Sequence, residues 1–366
     1  MEVSFYQSLM AAKAEQYNIV KCHGWFDYSI GKAPVLELLD IDLETILYES
    51  DEPMLLSDIR AIMRQMAEAL LFLKELGIIH ADIKPNNIMT VDEQRPFRVK
   101  LIDFGEAMKR EAVDSAIMVQ IPSFRAPEVY FGNVPFTEAI DMWSLGCIMT
   151  EMFLGNYLFS GDSDDEMVAQ IVQHLGMPPD HVIEDGIYSE RFFRMDMSYT
   201  WTLKNPLQRT HVIHLCSGHM FRSLDDLKAI RIEEHNEVEA VEREQCIELL
   251  KVMLEMDHEK RITPQEVLNH QFLKACHKPA SCNRPANPHT DHSSLPQRPS
   301  PSGATMVPPE CTTRTSIREH PIKYDTKGTQ TEEKKKKKRK NWFLHFFSRQ
   351  KNISSLGVTI VQSVPS

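Results

Sequence analysis

Two loops in a fixed order set the strongest limit on what this chain can fold into. Residues 80–87 read His-Ala-Asp-Ile-Lys-Pro-Asn-Asn, and Asp103-Phe104-Gly105 follows the short β-type run at 98–102. Ala126-Pro127-Glu128 and Asp141-Met142-Trp143-Ser144-Leu145-Gly146 come after them. A lone Asp-Phe-Gly recurs by chance, but four motifs in order do not. The first loop sets a carboxylate (Asp82), an ammonium (Lys84) and an amide (Asn87) close together. The second adds another carboxylate, Asp103. Carboxylate and amide oxygens are the hard donors that Mg²⁺ prefers. Other motif residues read as structural: Glu128 should pair with buried Arg261, Asp141 should cap the backbone of the first loop, and His80 should pack.

The surrounding pattern is mostly helical. Ile59, Ile62, Met63, Met66, Leu70 and Leu73 recur at helical spacing behind Ser57, an expected N-cap. Residues 139–153 are apolar on nearly every face, as in a helix at the centre of a core. Ser163 with Glu166 and Thr263 with Glu266 match capping boxes, and Gly176 should close the first of these helices. Strand signals are few: 19–22 and 35–38 are expected to pair. Beyond about 274, proline and serine dominate through 279–309, which reads as a disordered linker. A basic run at 334–340 then precedes Trp342, Phe343, Leu344, Phe346 and Phe347.

With these residues in place, the chain resembles the eukaryotic protein kinases of the CMGC group, and within it the homeodomain-interacting protein kinases. Ile79-His80-Ala81-Asp82, Phe124-Arg125-Ala126-Pro127-Glu128, Ala139 through Cys147 and Arg191-Phe192-Phe193 carry the likeness. The resemblance covers about residues 1–275 and implies an α+β, bilobal fold with a truncated small β lobe and a large α-helical C-lobe. Its divisions are a partial N-lobe at 1–39 (the αC helix and two strands), a C-lobe at 40–275, a linker at 276–333 and a basic-aromatic tail at 334–366. It implies transfer of the γ-phosphate of ATP to protein Ser/Thr hydroxyls with Mg²⁺ as the metal. Asp82 would take the hydroxyl proton, Lys84 would reach the transferring phosphate, and Asn87 and Asp103 would hold the metal. Glu37 and Leu39 would belong to the hinge that holds adenine, with Leu36 before it as gatekeeper and Met89 in the adenine floor. Glu2 would be the αC glutamate that pairs with a phosphate-binding lysine.

The departures from that pattern carry their own expectations. No glycine-rich loop or strand lysine precedes Glu2, which suggests a shortened form of a kinase. The activation-loop tyrosine of the family falls at Met118, and Pro122 and Ser123 stand where arginine and tyrosine are usual. Arg125 would help clamp a phosphate on that loop. An active kinase and a pseudokinase scaffold therefore both remain open. A preference for Ser/Thr followed by proline is a family expectation.

Charge divides the chain. Of 41 basic and 52 acidic residues, 16 basic and 6 acidic ones lie at 275–366, so an acidic body precedes a basic tail. The run at 334–340 reads first as a nuclear localisation signal, then as a membrane-surface anchor with its aromatic neighbours, then as a solvated tail. Expected partners are protein substrates, among them transcription regulators, with no direct contact to nucleic acid, and the protein is expected to act as a monomer. Seven cysteines without a Cys-x-x-Cys pair argue against a disulfide framework or zinc site. The start lacks the charge and apolar core of a signal peptide.

Overall fold

In the computed structural model, the described residues are 2–274, apart from 30, 50–52, 93–94, 96, 114–116, 206–212, 215–219, 222 and 230–236. The linker and the basic-aromatic tail lie outside them. Helix α1 (Glu2–Ala11) leads into an antiparallel hairpin of β1 (Cys22–Tyr28) and β2 (Gly31–Leu36). Cys22 pairs with Leu36 and Gly24 with Val35 across a register shift. The expected pairing of 19–22 with 35–38 is thus displaced toward the turn, and Ile19 instead bridges Leu101. Gly24, at φ +143°, occupies the irregular position, a conformation that side-chain-bearing residues rarely adopt.

The body is built on helices α2 (Leu43–Glu49), α3 (Leu56–Glu75), α4 (Pro127–Phe131), α5 (Ala139–Leu154) and α6 (Asp164–Leu175). Short α7 (Asp180–Glu184) and α8 (Ser189–Phe192) follow, then α9 (Glu237–Met253), α10 (Pro264–Asn269) and α11 (Gln271–Lys274). The apolar stripe of α3 is buried as its spacing requires. Its N-cap is Leu55, not Ser57, and no side chain caps it. The carbonyl of Leu55 accepts from the amides of Asp58 and Ile59, so backbone begins the helix two residues earlier than the serine would.

From Ile140 to Leu154, every residue of α5 is buried. The helix ends at Gly155 (φ 72°), whose N–H closes on the Glu151 carbonyl at 2.7 Å. A left-handed residue is what such a cap demands, and glycine supplies it without a Cβ clash. Helices α3 and α9 pack against α5. Thr263 and Glu266 form a complete capping box at α10. Ser163 makes only half of one, since it accepts from Glu166 N while the Glu166 carboxylate turns to Asp162 N at 2.9 Å. Gly176 closes α6 as expected.

Distant segments are tied by buried arginines. Arg261 donates to both carboxylate oxygens of Glu128 at 2.6 and 2.8 Å, with neither side chain exposed. Removing one partner of so buried a pair costs about 3–5 kcal/mol, because the other charge is stranded. Arg60 donates to the Phe272 carbonyl at 2.6 Å and pairs with Glu242 at 3.2 Å.

Candidate active site

Two small ladders bracket the two loops. Strands β3 (Ile78–Ile79) and β6 (Met108–Lys109) pair on the outside, and β4 (Ile88–Thr90) pairs with β5 (Val99–Leu101) inside. Residues 80–87 therefore leave β3 and enter β4, while 103–105 leave β5 and lead to β6. The Ile102 amide donates to the Asn87 carbonyl at 2.9 Å, so the second loop begins beside the end of the first.

Asp141, buried on α5, fixes the first loop. Its two carboxylate oxygens accept from the amides of His80 (2.8 Å) and Ala81 (2.9 Å). Burial raises the Asp141 pKa to about 7, while those two hydrogen bonds oppose the shift. Ala81 sits at φ 62° and Asp103 at φ 63°. Holding a non-glycine residue there costs roughly 1–2 kcal/mol, somewhat less for Asp. The Asp141 bond to the Ala81 amide helps hold the first of these strained positions.

His80 is fully buried and packs, as expected. Its Nε2 lies 3.1 Å from the Ile102 carbonyl, and its ring meets Phe104 edge-on at 5.0 Å. Phe104 in turn meets Tyr6 of α1 at 5.6 Å. A column of three rings thus joins α1, the second loop and the first. Burial lowers the His80 pKa, so the ring stays neutral.

Asp82, Lys84 and Asn87 converge. The Lys84 ammonium donates to Asp82 Oδ2 at 2.6 Å. Asn87 Nδ2 donates to the same oxygen at 3.0 Å and to the Asp82 carbonyl at 2.8 Å. With its NH₂ so engaged, the amide oxygen of Asn87 is the atom that could serve a metal. Asp103 Oδ1 accepts from the Gly105 amide at 3.1 Å, so the turn of the second loop is closed on its own carboxylate. Asp103 also lies close enough to Glu2 to raise the Glu2 pKa, after burial, which is the larger cause. Among the described residues no lysine or arginine pairs with Glu2.

Of the expected hinge residues, Leu39 and Met89 are brought together. The Asp40 amide donates to the Thr90 carbonyl at 2.9 Å, and Asp42 bridges Met89. Leu39 is buried, and Met89 packs on the core. The Glu37 side chain points elsewhere, accepting from the Lys21 amide at 2.6 Å and from the Lys100 ammonium. Only its backbone remains for a ligand at the hinge.

One further residue escaped the sequence reading. Gln120 sits at φ 64° with its side chain clasped between the Ile140 carbonyl (2.9 Å), the Ser144 hydroxyl (2.7 Å) and the Ala126 amide (3.0 Å). Its carbonyl, and that of Val119, each accept from Arg125 at 2.9 Å. Arg125 also reaches Asp164 at 3.4 Å. The expected phosphate clamp is thus already engaged with the chain itself. No motif announced Gln120, because a left-handed glutamine has no local sequence signal.

The bracketed loops, the Asp141 tie, the Glu128–Arg261 pair and the column of rings define a protein kinase, and the protein kinase domain family matches residues 2–273. The chain belongs to that family. Within it, the chain is similar to the homeodomain-interacting protein kinases. It is 39% identical over 291 residues to homeodomain-interacting protein kinase 1 of Mus musculus, covering 76% of this chain and 24% of the relative. To kinase 2 of Mesocricetus auratus it is 38% identical, with 76% and 25% covered. To kinase 4 of Homo sapiens it is 32% identical over 299 residues, with 74% and 48% covered. The chain spans about a quarter of the length of the first two relatives.

Proposed function

We propose that this chain is a protein serine/threonine kinase that moves the γ-phosphate of Mg-ATP to a protein hydroxyl. The observation that carries the reading is the convergence of Lys84 and Asn87 on the Asp82 carboxylate, beside Asp103. Asp82 accepts the proton of the acceptor hydroxyl, and Lys84, two residues on, offers positive charge where the transferred group passes. The donor set fits Mg²⁺. Asn87 and Asp103 offer hard oxygens, and no cluster of three His, Cys, Asp or Glu among the described residues could hold an ion alone. A metal there takes its remaining ligands from phosphate and water, and supplies charge neutralisation on the phosphates. Leu39 and Met89 form the apolar wall suited to adenine, with the backbone of Glu37 and Leu39 offering its polar contacts. The hinge, 1–39 and 40–275 division is the corresponding lobe boundary.

Gln120 and Arg125 support a preference for proline after the acceptor. With the Gln120 carbonyl turned onto Arg125, the backbone there has no acceptor for an incoming N–H, and proline is the residue that brings none. Substrates and partners are proposed to include transcription regulators, since the relatives are named for interaction with homeodomain proteins. Nuclear residence follows from the same reading and from the basic run at 334–340.

A second reading, a scaffold without phosphotransfer, draws on Glu2, whose charged neighbour is Asp103 and which pairs with no lysine among the described residues. Asp82→Asn separates the two. Loss of a positioned general base is expected to cut phosphate incorporation by about 100-fold or more. The melting temperature should stay close to wild type. Incorporation by the variant at the wild-type rate would sink the kinase reading.

A further inference from the structure

The segment that carries Gln120 is held by charge, and one carboxylate supplies the hold. The Arg125 side chain is 10% exposed. Its Nε donates to the Val119 carbonyl and its Nη2 to the Gln120 carbonyl, both at 2.9 Å. Those oxygens are neutral, and a guanidinium so far from water needs a countercharge. Asp164 provides it, with Oδ1 3.4 Å from Arg125 Nη1. The other oxygen, Oδ2, accepts from Arg191 at 2.9 Å. Asp164 thus ties the segment of Gln120 to the start of α6 and to α8. A carboxylate in the first turn of a helix suits the helix dipole. That role alone would not bring arginines from two separate segments onto its two oxygens.

Both arginines are met from within the chain. Arg191 also lies 3.6 Å from Asp165, and the Arg125 guanidinium lies 5.1 Å from the centre of the Tyr130 ring. Met118 lines a small cavity with Tyr130 and Arg191, so an anion attached at 118 would come to the same cations. Methionine has no hydroxyl on which such an anion could be built. Between Asp103 and Glu128 the hydroxyl-bearing residues are Ser115 and Ser123, neither of them at that place. The fixed negative charge of Asp164 stands where a transient one would otherwise be needed, since a carboxylate and a phosphate satisfy a guanidinium by the same charge-assisted bonds.

We propose that Asp164 is a positioning residue that sets the acceptor-side segment in place of a phosphate. Through Arg125 it keeps the Gln120 carbonyl turned inward, so that the chain takes serine-proline sequences without first being phosphorylated. The inference rests on the phosphotransfer reading and its proline preference for its meaning, but the positioning is read in binding and does not depend on transfer.

The test uses the 366-residue chain, with and without treatment by a broad-specificity protein phosphatase. Two fluorescent peptides differ only in proline or alanine after the serine. Affinity is read by fluorescence anisotropy without ATP, and phosphate incorporation is measured separately. Treated and untreated chains are expected to bind the serine-proline peptide within about twofold of each other, and about tenfold more tightly than the serine-alanine peptide. Asp164→Asn should shrink that ratio to about twofold by releasing Arg125, and Asp164→Glu should recover most of it. A residue that merely steadied the fold would lower the melting temperature and weaken both peptides alike. The phosphatase comparison needs the wild-type chain alone, so it stands even where Asp164→Asn does not fold. Equal affinity of the wild-type chain for the two peptides overturns the proposal. So does a wild-type ratio in folded Asp164→Asn, or a loss of about tenfold in serine-proline affinity on phosphatase treatment. A ratio that follows Asp164 without incorporation upholds the positioning and refutes the kinase reading. Incorporation with a ratio untouched by Asp164→Asn does the reverse.

Discussion

Burial of the Glu151 carboxylate, together with its Glu44 neighbour, lifts its pKa to about 7, against an ordinary value near 4.5. A carboxyl whose pKa rises on folding binds its proton more tightly in the folded chain. Its contribution to stability is therefore whole below the unfolded value and is lost as pH climbs through about 7. Glu151→Gln removes the titration. The variant is expected to be more stable than wild type above neutral pH by about 1–3 kcal/mol, and to converge with it near pH 4. Urea denaturation at several pH values checks this, and a wild-type chain no weaker than the variant above neutrality would contradict the assignment.

At the scale of elements, α5 is the piece on which the others register. Gly146 lies on it against α9, where an added Cβ would come 3.0 Å from Leu254 Cδ2 and 3.1 Å from Met253 Cβ. Alanine would gain up to about 1 kcal/mol in helix propensity but lose about 1–3 kcal/mol to overpacking. Gly146→Ala is therefore expected to lower stability by about 1 kcal/mol, read as a fall in the urea midpoint at unchanged slope. A variant as stable as wild type would mean that α9 moves aside freely. Much at this scale was legible beforehand: α5 itself, the Thr263 box, the Gly176 stop, and the partners of Glu128 and Asp141. These are written in side chains whose roles depend on local spacing or on unusual burial. The start of α3 was not, because backbone bonds from Leu55 displaced the serine cap. The β1–β2 register was not, because a bulge at Gly24 shifts the pairing. Nor could spacing show that the Glu37 carboxylate turns to Lys100, 63 positions away, or that Gln120 is left-handed. Such features are settled by tertiary contacts.

For the whole molecule, the acidic body and the basic tail are expected to be separable. Replacing Lys334–Lys338 with alanine in a fluorescent fusion should abolish nuclear enrichment while phosphate incorporation by the body is unchanged. Loss of plasma-membrane signal instead would favour the surface-anchor reading, and unchanged location would leave the run a solvated tail. No helix among the described residues is long and apolar enough to cross a membrane. The buried arginine ties carry a consequence for how the chain is made. Arg60 closes on a carbonyl 212 positions later and Arg261 on a carboxylate 133 positions earlier. During synthesis, Arg60 on α3 therefore gains its partners only after Glu242 and Phe272 have left the ribosome. Contacts so distant in sequence form slowly and late. The two ties therefore close the body only once its last helices are present, so a chain cut before α11 is expected to lack the Arg60 anchor.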